Sequence, residues 1–229
     1  MNLKDKVVVI TGGSQGFGKA LARFLSEEGS QVIISSHEKD DLESASNELG
    51  VDNFLATVTS MEDIKRLGEY AFKKYGMIDI WINNAGIHIA PSLVEDVDIR
   101  KLRRLFDVNF FGYFFGCQLA LSYMKKRKAG VIINVNSTAG LDGRPGISAY
   151  SSSKFAIKGL TESIRKEIRD SNINIYQIFP GGMQTDIYKE KYPDDFEDYM
   201  AVDLVAQKVV DNLKAESPEI DLIIKRPTK

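Results

Sequence analysis

One stretch near the start of the chain constrains the fold most: an apolar run, three glycines and then an amphipathic helix pattern. In the run 6–10, the four residues after Lys6 are all apolar and β-branched, which predicts a strand of a parallel sheet covered on both faces. Gly12, Gly16 and Gly18 follow, and apolar positions at helical spacing begin near Gly16. Such a turn lets the backbone and the free N–H groups of a helix N-terminus approach a phosphate group. An ordinary tight turn is the alternative, since glycine-rich turns are common.

The rest of the chain alternates between strand and helix patterns. We predict further strands at residues 31–35, 54–56, 78–82, 131–135, 174–179 and 221–224, and helices at 41–49, 62–75, 148–170 and 204–215. The stretch 105–121 is predicted to be a buried helix, too short and too polar for a membrane span. This alternation predicts an α/β fold: a doubly wound parallel β-sheet of about seven strands with helices on both faces. No composition break divides the sequence, so we expect a single domain over residues 1–229.

Ser137, Tyr150 and Lys154 form a second informative pattern. Tyr150 and Lys154 are four residues apart in a predicted helix, so they share one face. Only about a thousandth of free tyrosine is ionised at pH 7, but a nearby ammonium favours the phenolate. Ser137 follows the predicted strand 131–135, at the carboxyl edge of the sheet where ligands bind. The three residues indicate an acid–base centre for a carbonyl or an alcohol, whereas the tyrosine and lysine alone would usually be a surface pair.

These two patterns, in this order, resemble the short-chain dehydrogenase/reductase family, in its shorter-chain branch. The turn at residues 11–18 reads Thr-Gly-x3-Gly-x-Gly, not the Thr-Gly-x2-Gly-x2-Gly that is usual in the extended branch with the sugar epimerases. Asn109 matches a further catalytic residue of the family, residues 83–86 read Asn-Asn-Ala-Gly, and residues 180–185 match Pro-Gly-x3-Thr. The resemblance implies a Rossmann-type fold and hydride transfer between a nicotinamide cofactor and a carbonyl or alcohol substrate.

The resemblance also implies a role for each matching residue. Tyr150 would be the general acid/base, Ser137 would orient the substrate oxygen, Lys154 would lower the tyrosine pKa and hold the nicotinamide ribose, and Asn109 would support a proton-relay water. The residues implied to bind the cofactor are Gly12, Ser14, Gln15, Gly16, Phe17, Gly18, Ser36, His37, Thr57, Val58, Asn84, Ala85, Gly86, Tyr150, Lys154, Pro180, Gly181, Met183 and Thr185. No metal site is expected.

The residues after the second predicted strand favour NADP over NAD. An NAD enzyme would place an acid there for the ribose 2′-hydroxyl, and Ser36 stands at that position. His37 follows where NADP members of the family often carry arginine, so Ser36, His37 and Lys39 would together receive the 2′-phosphate. NAD remains the alternative, and His37 would then be a solvated loop histidine. Thr57 replaces the family's usual aspartate near the adenine, where Thr57 and Val58 would still offer a hydroxyl and backbone groups.

Charge and cysteine content argue against several other classes of protein. The formal net charge is −2 with acidic and basic residues interspersed, so nothing indicates nucleic acid or an anionic membrane as a partner. The single cysteine, Cys117, excludes an internal disulfide and fits a reducing compartment, in a packing role. Residues 1–6 lead straight into the first strand and leave no room for a signal peptide. We therefore expect a cytoplasmic protein that acts on a small molecule.

Two further segments bear on the pocket and on assembly. Residues 186–200 are rich in charge and aromatic side chains and are expected to form a short substrate lid, although a solvated loop fits equally well. Gly112-x3-Gly116 allows close backbone approach, which favours packing against the sheet. Since the helices carrying Asn109 and Tyr150 often form a dimer interface in the family, we expect a homodimer or a homotetramer.

Two functions of other classes stay open from the sequence: a dinucleotide-binding regulatory protein without turnover, and a non-redox isomerase or dehydratase that uses the same centre. His88, Leu141, Asp142 and Met183 are candidate neighbours of the pocket. The substrate, the favoured direction and the stereochemistry do not follow from the fold or the cofactor.

Overall fold

A sheet of seven parallel strands organises the computed structural model of the protein, which describes residues 1–226. The strands are β1 Val7–Thr11, β2 Gln31–Ser36, β3 Asp52–Leu55, β4 Ile80–Asn83, β5 Ala129–Val135, β6 Asn172–Pro180 and β7 Asp221–Ile224. Their order across the sheet is β3-β2-β1-β4-β5-β6-β7, and all neighbouring pairs are parallel. The predicted doubly wound, Rossmann-type sheet is confirmed.

Helices cover both faces of this sheet. They are α1 Gly16–Glu27, α2 Lys39–Leu49, α3 Met61–Tyr75, α4 Ile99–Phe106, α5 Gly112–Arg127, α6 Ser148–Glu167 and α7 Val202–Lys214. Helices α1, α2 and α7 contribute to the hydrophobic core on one face, and α3, α5 and α6 to the core on the other. Strand residues alternate between the two cores: Val8 and Ile10 of β1 face one, and Val7 and Val9 the other. Burial on both faces explains why the strands read as continuous apolar runs.

The strand order reverses at β1, and this reversal indicates where along the sheet edge a ligand is expected to bind. Strand β1 lies between β2 and β4, so the chain leaves β1 towards one side and returns to the other. In doubly wound sheets, ligands bind in the crevice at the carboxyl ends of the strands that flank such a point. The loops after β1 and β4 therefore define where a site is expected.

The stretch predicted to be one buried helix, 105–121, differs from that prediction in two ways. Helix α4 ends at Phe106, a π-helical turn spans Asp107–Phe111, and α5 begins at Gly112. One side also stays at the surface, where Phe111 and Phe114 are 45% and 41% exposed. The stretch carries apolar groups on more sides than one sheet contact covers. No helix within residues 1–226 has the length and apolar character needed to cross a membrane.

Gly116 lets α5 approach the sheet closely. A Cβ at this position would overlap Asn83 Oδ1 and would lie 2.6 Å from Trp81 Nε1. Both atoms belong to a buried network, in which Trp81 Nε1 donates to Asn83 Oδ1 over 2.7 Å and Asn83 Nδ2 donates to Asn134 Oδ1 over 2.8 Å. Packing against the sheet, the favoured interpretation of the glycine pair, is confirmed for Gly116.

We expect Gly116→Ala to lower the free energy of unfolding by about 2 kcal/mol or more, because the new methyl group displaces a buried hydrogen-bonded amide. Gly159→Ala is the matched control, since a Cβ there would have no heavy atom within 4 Å and alanine favours the helix by about 0.5–1 kcal/mol. Urea unfolding of both variants measures the difference. Equal effects of the two substitutions would contradict the packing argument.

Candidate active site

The turn after β1 is a close junction between two loops. Gly12 and Gly16 have φ values of +65° and +52°, which favour glycine. A Cβ on Gly12 would lie 2.7 Å from Ala85 Cα, so the loop after β1 packs directly on the loop after β4. A Cβ on Gly18 would overlap the Gly12 carbonyl and the Asn84 amide nitrogen. The predicted glycine turn is therefore sterically required at the carboxyl edge of the sheet.

The N-terminus of α1 leaves its backbone N–H groups available at this junction. The N-cap residue Gln15 makes no side-chain capping hydrogen bond, and the first turn of α1 contains no acidic residue. The Phe17 side chain packs into the core, so only its backbone is accessible to a ligand, and Ser14 is also buried. Free N–H groups and the positive end of the helix dipole fit the phosphates of a dinucleotide.

Asn84 holds the two loops together. Its Nδ2 donates to the carbonyl oxygens of Thr11 (3.0 Å) and Gly12 (2.9 Å). In return, Thr11 Oγ1 accepts from the N–H groups of Asn84 (3.1 Å) and Ala85 (3.3 Å). Both amide hydrogens of Asn84 are used within the protein. The Asn84 side chain thus fixes the loop after β1 against the loop after β4, in which Ala85 and Gly86 follow.

Asn109 clamps the backbone after Gly86. It is fully buried in the π-helical turn, and its Oδ1 accepts from the Ile87 N–H over 2.9 Å while its Nδ2 donates to the Ile87 carbonyl over 3.0 Å. The same Nδ2 lies 3.3 Å from Ser153 Oγ on α6. Asn109 therefore connects the loop after β4 to the helix that carries Tyr150. Neither Ser153 nor the π-helical turn was predicted from the sequence, although π-helical turns often occur at functional sites.

Ser137, Tyr150 and Lys154 come together beyond the carboxyl end of β5. Lys154 is 4% exposed, its Nζ donates to the Val135 carbonyl over 3.1 Å, and it lies 5.6 Å from the centre of the Tyr150 ring. Ser137 Oγ accepts from the Ala139 N–H over 3.1 Å, which fixes the short turn after β5. The structure brings together the residues of the predicted catalytic set.

Tyr113 is a neighbour of this set that the sequence analysis did not include. Its hydroxyl donates to the Val135 carbonyl over 2.8 Å, the same oxygen that Lys154 uses. The Lys154 ammonium also lies 5.4 Å from the centre of the Tyr113 ring, within cation–π range. Only contacts across the fold reveal Tyr113, since it lies in an apolar run of α5.

At the end of β2, an acidic side chain lies beside the phosphate site that is predicted there. Ser36 Oγ accepts from the Glu38 N–H over 3.2 Å, and His37 Nε2 lies 3.2 Å from Glu38 Oε1 with the His37 side chain 62% exposed. No acid stands at position 36, but the carboxylate of Glu38 lies beside the residue predicted to meet the phosphate. Glu38 was absent from the predicted site residues, although it follows His37 directly.

Thr57 and Val58 present mainly their backbone. The Thr57 N–H donates to Asp63 Oδ2 over 3.0 Å, and the Thr57 hydroxyl is hydrogen-bonded to that of Thr59 at 2.9 Å. A Cβ on Gly112 would lie 3.0 Å from Val58 Cβ, so this side chain packs under α5. The hydroxyl expected to meet the adenine is therefore already paired.

The turn after β6 reaches the glycine turn. Pro180 is the last residue of β6, and the Gly181 N–H donates to the last residue of β7 over 2.9 Å. Met183 packs against the core, whereas the Thr185 methyl group would be 3.4 Å from a Cβ on Gly16. Thr185 therefore faces the loop after β1.

The family model described as short chain dehydrogenase matches residues 6–196. The chain belongs to the short-chain dehydrogenase family. As a member, this protein is an oxidoreductase of the kind that acts on carbonyl and alcohol groups.

Individual proteins agree with this membership. A 3-oxoacyl-acyl-carrier-protein reductase of Thermotoga maritima is 36% identical over 203 residues, which cover 85% of this chain and 80% of that one. A 3-ketoacyl-acyl-carrier-protein reductase of Brucella melitensis, solved with NADH, has a TM-score of 0.89 at 25% identity and covers 97% and 98% of the two chains. An alcohol dehydrogenase of Thermococcus sibiricus, solved with 5-hydroxy-NADP, shares the fold with a TM-score of 0.88 at 24% identity, over 99% and 100% of the chains.

Burial dominates the electrostatics of the catalytic set in this short-chain dehydrogenase. It raises the pKa of Tyr150 to about 12, while the neighbouring Ser137 hydroxyl acts in the opposite direction. It also lowers the pKa of Lys154 to about 7. Both shifts favour the neutral forms, because burial penalises the charged form of each group. Tyr150 therefore keeps its proton at pH 7, as a proton donor must.

We expect Lys154→Met to raise the free energy of unfolding at pH 6 by on the order of 1–2 kcal/mol, and this gain to shrink as the pH rises towards 10. The pKa of Lys154 is lower in the folded than in the unfolded chain, so the unfolded chain binds more protons between pH 7 and 10. Stability of the unsubstituted protein therefore rises with pH across this window, and methionine removes that dependence.

Urea unfolding at pH 6, 8 and 10 measures the effect. Lys166→Met, at an exposed lysine of the same helix, is the control. A gain from Lys154→Met that is the same at every pH would show that the buried charge is not its cause.

Proposed function

We propose that this protein transfers hydride between a nicotinamide dinucleotide and a carbonyl or alcohol substrate, with Tyr150 as the general acid/base. The observation that carries the proposal is the cluster of Ser137, Tyr150 and the buried Lys154 at the same sheet edge as the uncapped N-terminus of α1. A dinucleotide whose phosphates lie at that N-terminus would extend along this edge towards the cluster.

Tyr150 and Ser137 have different roles at the substrate oxygen. When bound, a reduced nicotinamide supplies the hydride that forms the new C–H bond at the carbonyl carbon. Tyr150 gives its phenolic proton to the oxygen as negative charge develops there, which completes the alcohol. Ser137 holds the same oxygen by a hydrogen bond. In alcohol oxidation each residue acts in reverse, and Tyr150 takes the proton.

Lys154 and Asn109 support this proton transfer. We propose that Lys154 holds the hydroxyl groups of the nicotinamide ribose and that Asn109 supports a water that returns a proton to Tyr150 through Lys154. The hydrogen bonds from Asn109 to Ile87 and Ser153 support its role in holding the water. They fix polar groups next to the side of α6 that carries Tyr150 and Lys154. A cationic oxidised nicotinamide would also favour the phenolate of Tyr150.

The proposal extends to domain organisation, the lid, assembly and compartment. The chain would act as a single domain, with residues 186–200 as a short substrate lid. Phe111, Phe114 and Phe155 are all more than 40% exposed on the helices that follow Asn109 and carry Tyr150, which supports a homodimer or a homotetramer that covers them. The single cysteine, buried at Cys117 with a pKa raised to about 12, suits a reducing cytoplasm.

We expect Tyr150→Phe to reduce turnover by on the order of 10²–10⁴-fold, because the proton donor is lost. Binding of the cofactor should stay within a few-fold, since the ring and its packing remain. Tyr123→Phe, on α5 near the opposite end of the molecule, is the control for loss of a phenol. Steady-state reduction of a ketone panel, followed by nicotinamide absorbance, measures turnover, and activity of Tyr150→Phe near that of the unsubstituted enzyme would refute the assignment.

We propose that the cofactor is NADP in preference to NAD, with NAD as the alternative. The absence of an acid at position 36 and the exposed imidazole of His37 support this, and Glu38 opposes it. Titration with NADPH and NADH, followed by nicotinamide fluorescence, should show about tenfold tighter binding of NADPH, the effect of one or two charge-assisted hydrogen bonds.

Substitution of Glu38, the acidic residue beside His37, tests the proposed phosphate site directly. Glu38→Gln should strengthen NADPH binding several-fold and leave NADH nearly unchanged, since it removes repulsion of the 2′-phosphate. Glu43→Gln, on the exposed side of α2, is the control. A preference for NADH would refute the phosphate site and leave the catalytic set in place. Failure to bind either cofactor would refute the dinucleotide function.

A further inference from the structure

A series of aromatic contacts runs from the catalytic tyrosine into the segment 186–200. The His88 ring lies 4.7 Å from the Tyr150 ring between centroids, tilted by 54°. The Tyr188 ring lies 5.3 Å from that of His88, tilted by 58°. These separations and tilts are within the range of favourable aromatic packing. His88 therefore lies between the catalytic phenol and Tyr188.

Packing holds Tyr188 on its other side. Its ring lies 5.5 Å from that of Tyr199 and 6.2 Å from that of Phe196. Arg226 stacks on Tyr199 with its guanidinium carbon 4.6 Å from the ring centre, and it pairs with Asp195 at 2.7 Å. Several contacts thus fix the position of the Tyr188 ring.

Glu190 connects the same segment to the loop that carries His88. Its Oε2 accepts from the Ala90 N–H over 3.2 Å and from Lys101 Nζ on α4 over 2.9 Å. The loop of His88 and the segment of Tyr188 are therefore hydrogen-bonded to each other at Ala90 and Glu190, two residues after each ring. This link makes a stable surface out of two loops.

We propose that His88 and Tyr188 form an aromatic wall that selects carbonyl substrates with a planar, unsaturated group attached directly to the carbonyl carbon. The inference rests on the proposed function, because it takes the substrate oxygen to lie at Ser137 and Tyr150. A group on the carbonyl carbon then has the His88 and Tyr188 rings as close neighbours. Planar π systems pack on such rings with an advantage over saturated groups of similar size.

The charge state of His88 suits an apolar neighbour. Burial lowers the pKa of its imidazole, and the ammonium of Lys154 acts in the same direction, whereas the carboxylate of Glu190 acts in the opposite one. The ring is therefore neutral at pH 7, and a planar apolar group meets no desolvated charge on this wall.

A pair of ketones with the same carbon skeleton tests the wall: acetophenone, with a planar ring, and cyclohexyl methyl ketone, with a saturated one. We compare kcat/KM for the two in the unsubstituted enzyme, His88→Ala, Tyr188→Ala and the ring-retaining Tyr188→Phe. The intrinsic difference in reactivity cancels between variants. We expect the acetophenone preference to fall by about fivefold to tenfold in the two alanine variants and to persist in Tyr188→Phe. Phe72→Ala, at an exposed phenylalanine of α3, is the control.

Ligand binding by saturation-transfer NMR, with cofactor present, separates this inference from the proposed function. Turnover of both ketones with an unchanged preference in both alanine variants would overturn the wall alone. Preferential binding of acetophenone that is lost in the alanine variants, without turnover, would support the wall and overturn the proposed chemistry. Equal binding of the two ketones without turnover would overturn both.

Discussion

A buried series of side-chain hydrogen bonds fixes the elements on which the site depends. Trp81 donates to Asn83, Asn83 to Asn134, and Asn134 Nδ2 to Thr161 Oγ1 over 2.8 Å. The series crosses from β4 through β5 to α6, and an unpaired member would cost about 1–3 kcal/mol in the interior. Register between these elements is therefore tightly specified. Ser137 lies just beyond β5 and Tyr150 lies on α6, so the same bonds that satisfy buried amides also set the spacing of the two proposed catalytic groups.

The site itself works against the stability of the fold. A lysine and a tyrosine share a region with little solvent, and burial shifts the pKa of each towards its neutral form. Such shifts are common where ionisable groups do chemistry. Tyr113 and the Val135 carbonyl offset part of the cost for Lys154 by a cation–π contact and a hydrogen bond.

The doubly wound parallel sheet and the proximity of Tyr150 to Lys154 could be predicted because local sequence patterns specify both. Strands buried on both faces need continuous apolar runs, and residues four apart on a helix must share a face. The π-helical turn at Asp107–Phe111 has no such signature, since it changes backbone hydrogen bonding without a special residue type. The Tyr188 contact with His88 joins residues 100 positions apart, and the pKa of Tyr150 depends on how completely other elements exclude water. Glu38 was not predicted because the family pattern concerns positions 36 and 37, whereas the contact of its carboxylate with His37 depends on the conformation of the turn after β2.

The π-helical turn sets the rotational phase between two helices that otherwise read as one. Each residue of an α-helix advances the chain by about 100° around its axis, and a π-helical turn contains about one residue more than an α-helical one. Suppose that one residue were deleted from 107–111 and that the turn became α-helical. Helix α4 would stay helical, but its side chains would be rotated about the helix axis relative to those of α5. If the deleted residue lay C-terminal to Asn109, both Asn109 and Lys101 would rotate away from the residues to which they are hydrogen-bonded. Helical content would survive, while the clamp on Ile87 and the link to Glu190 would be lost together.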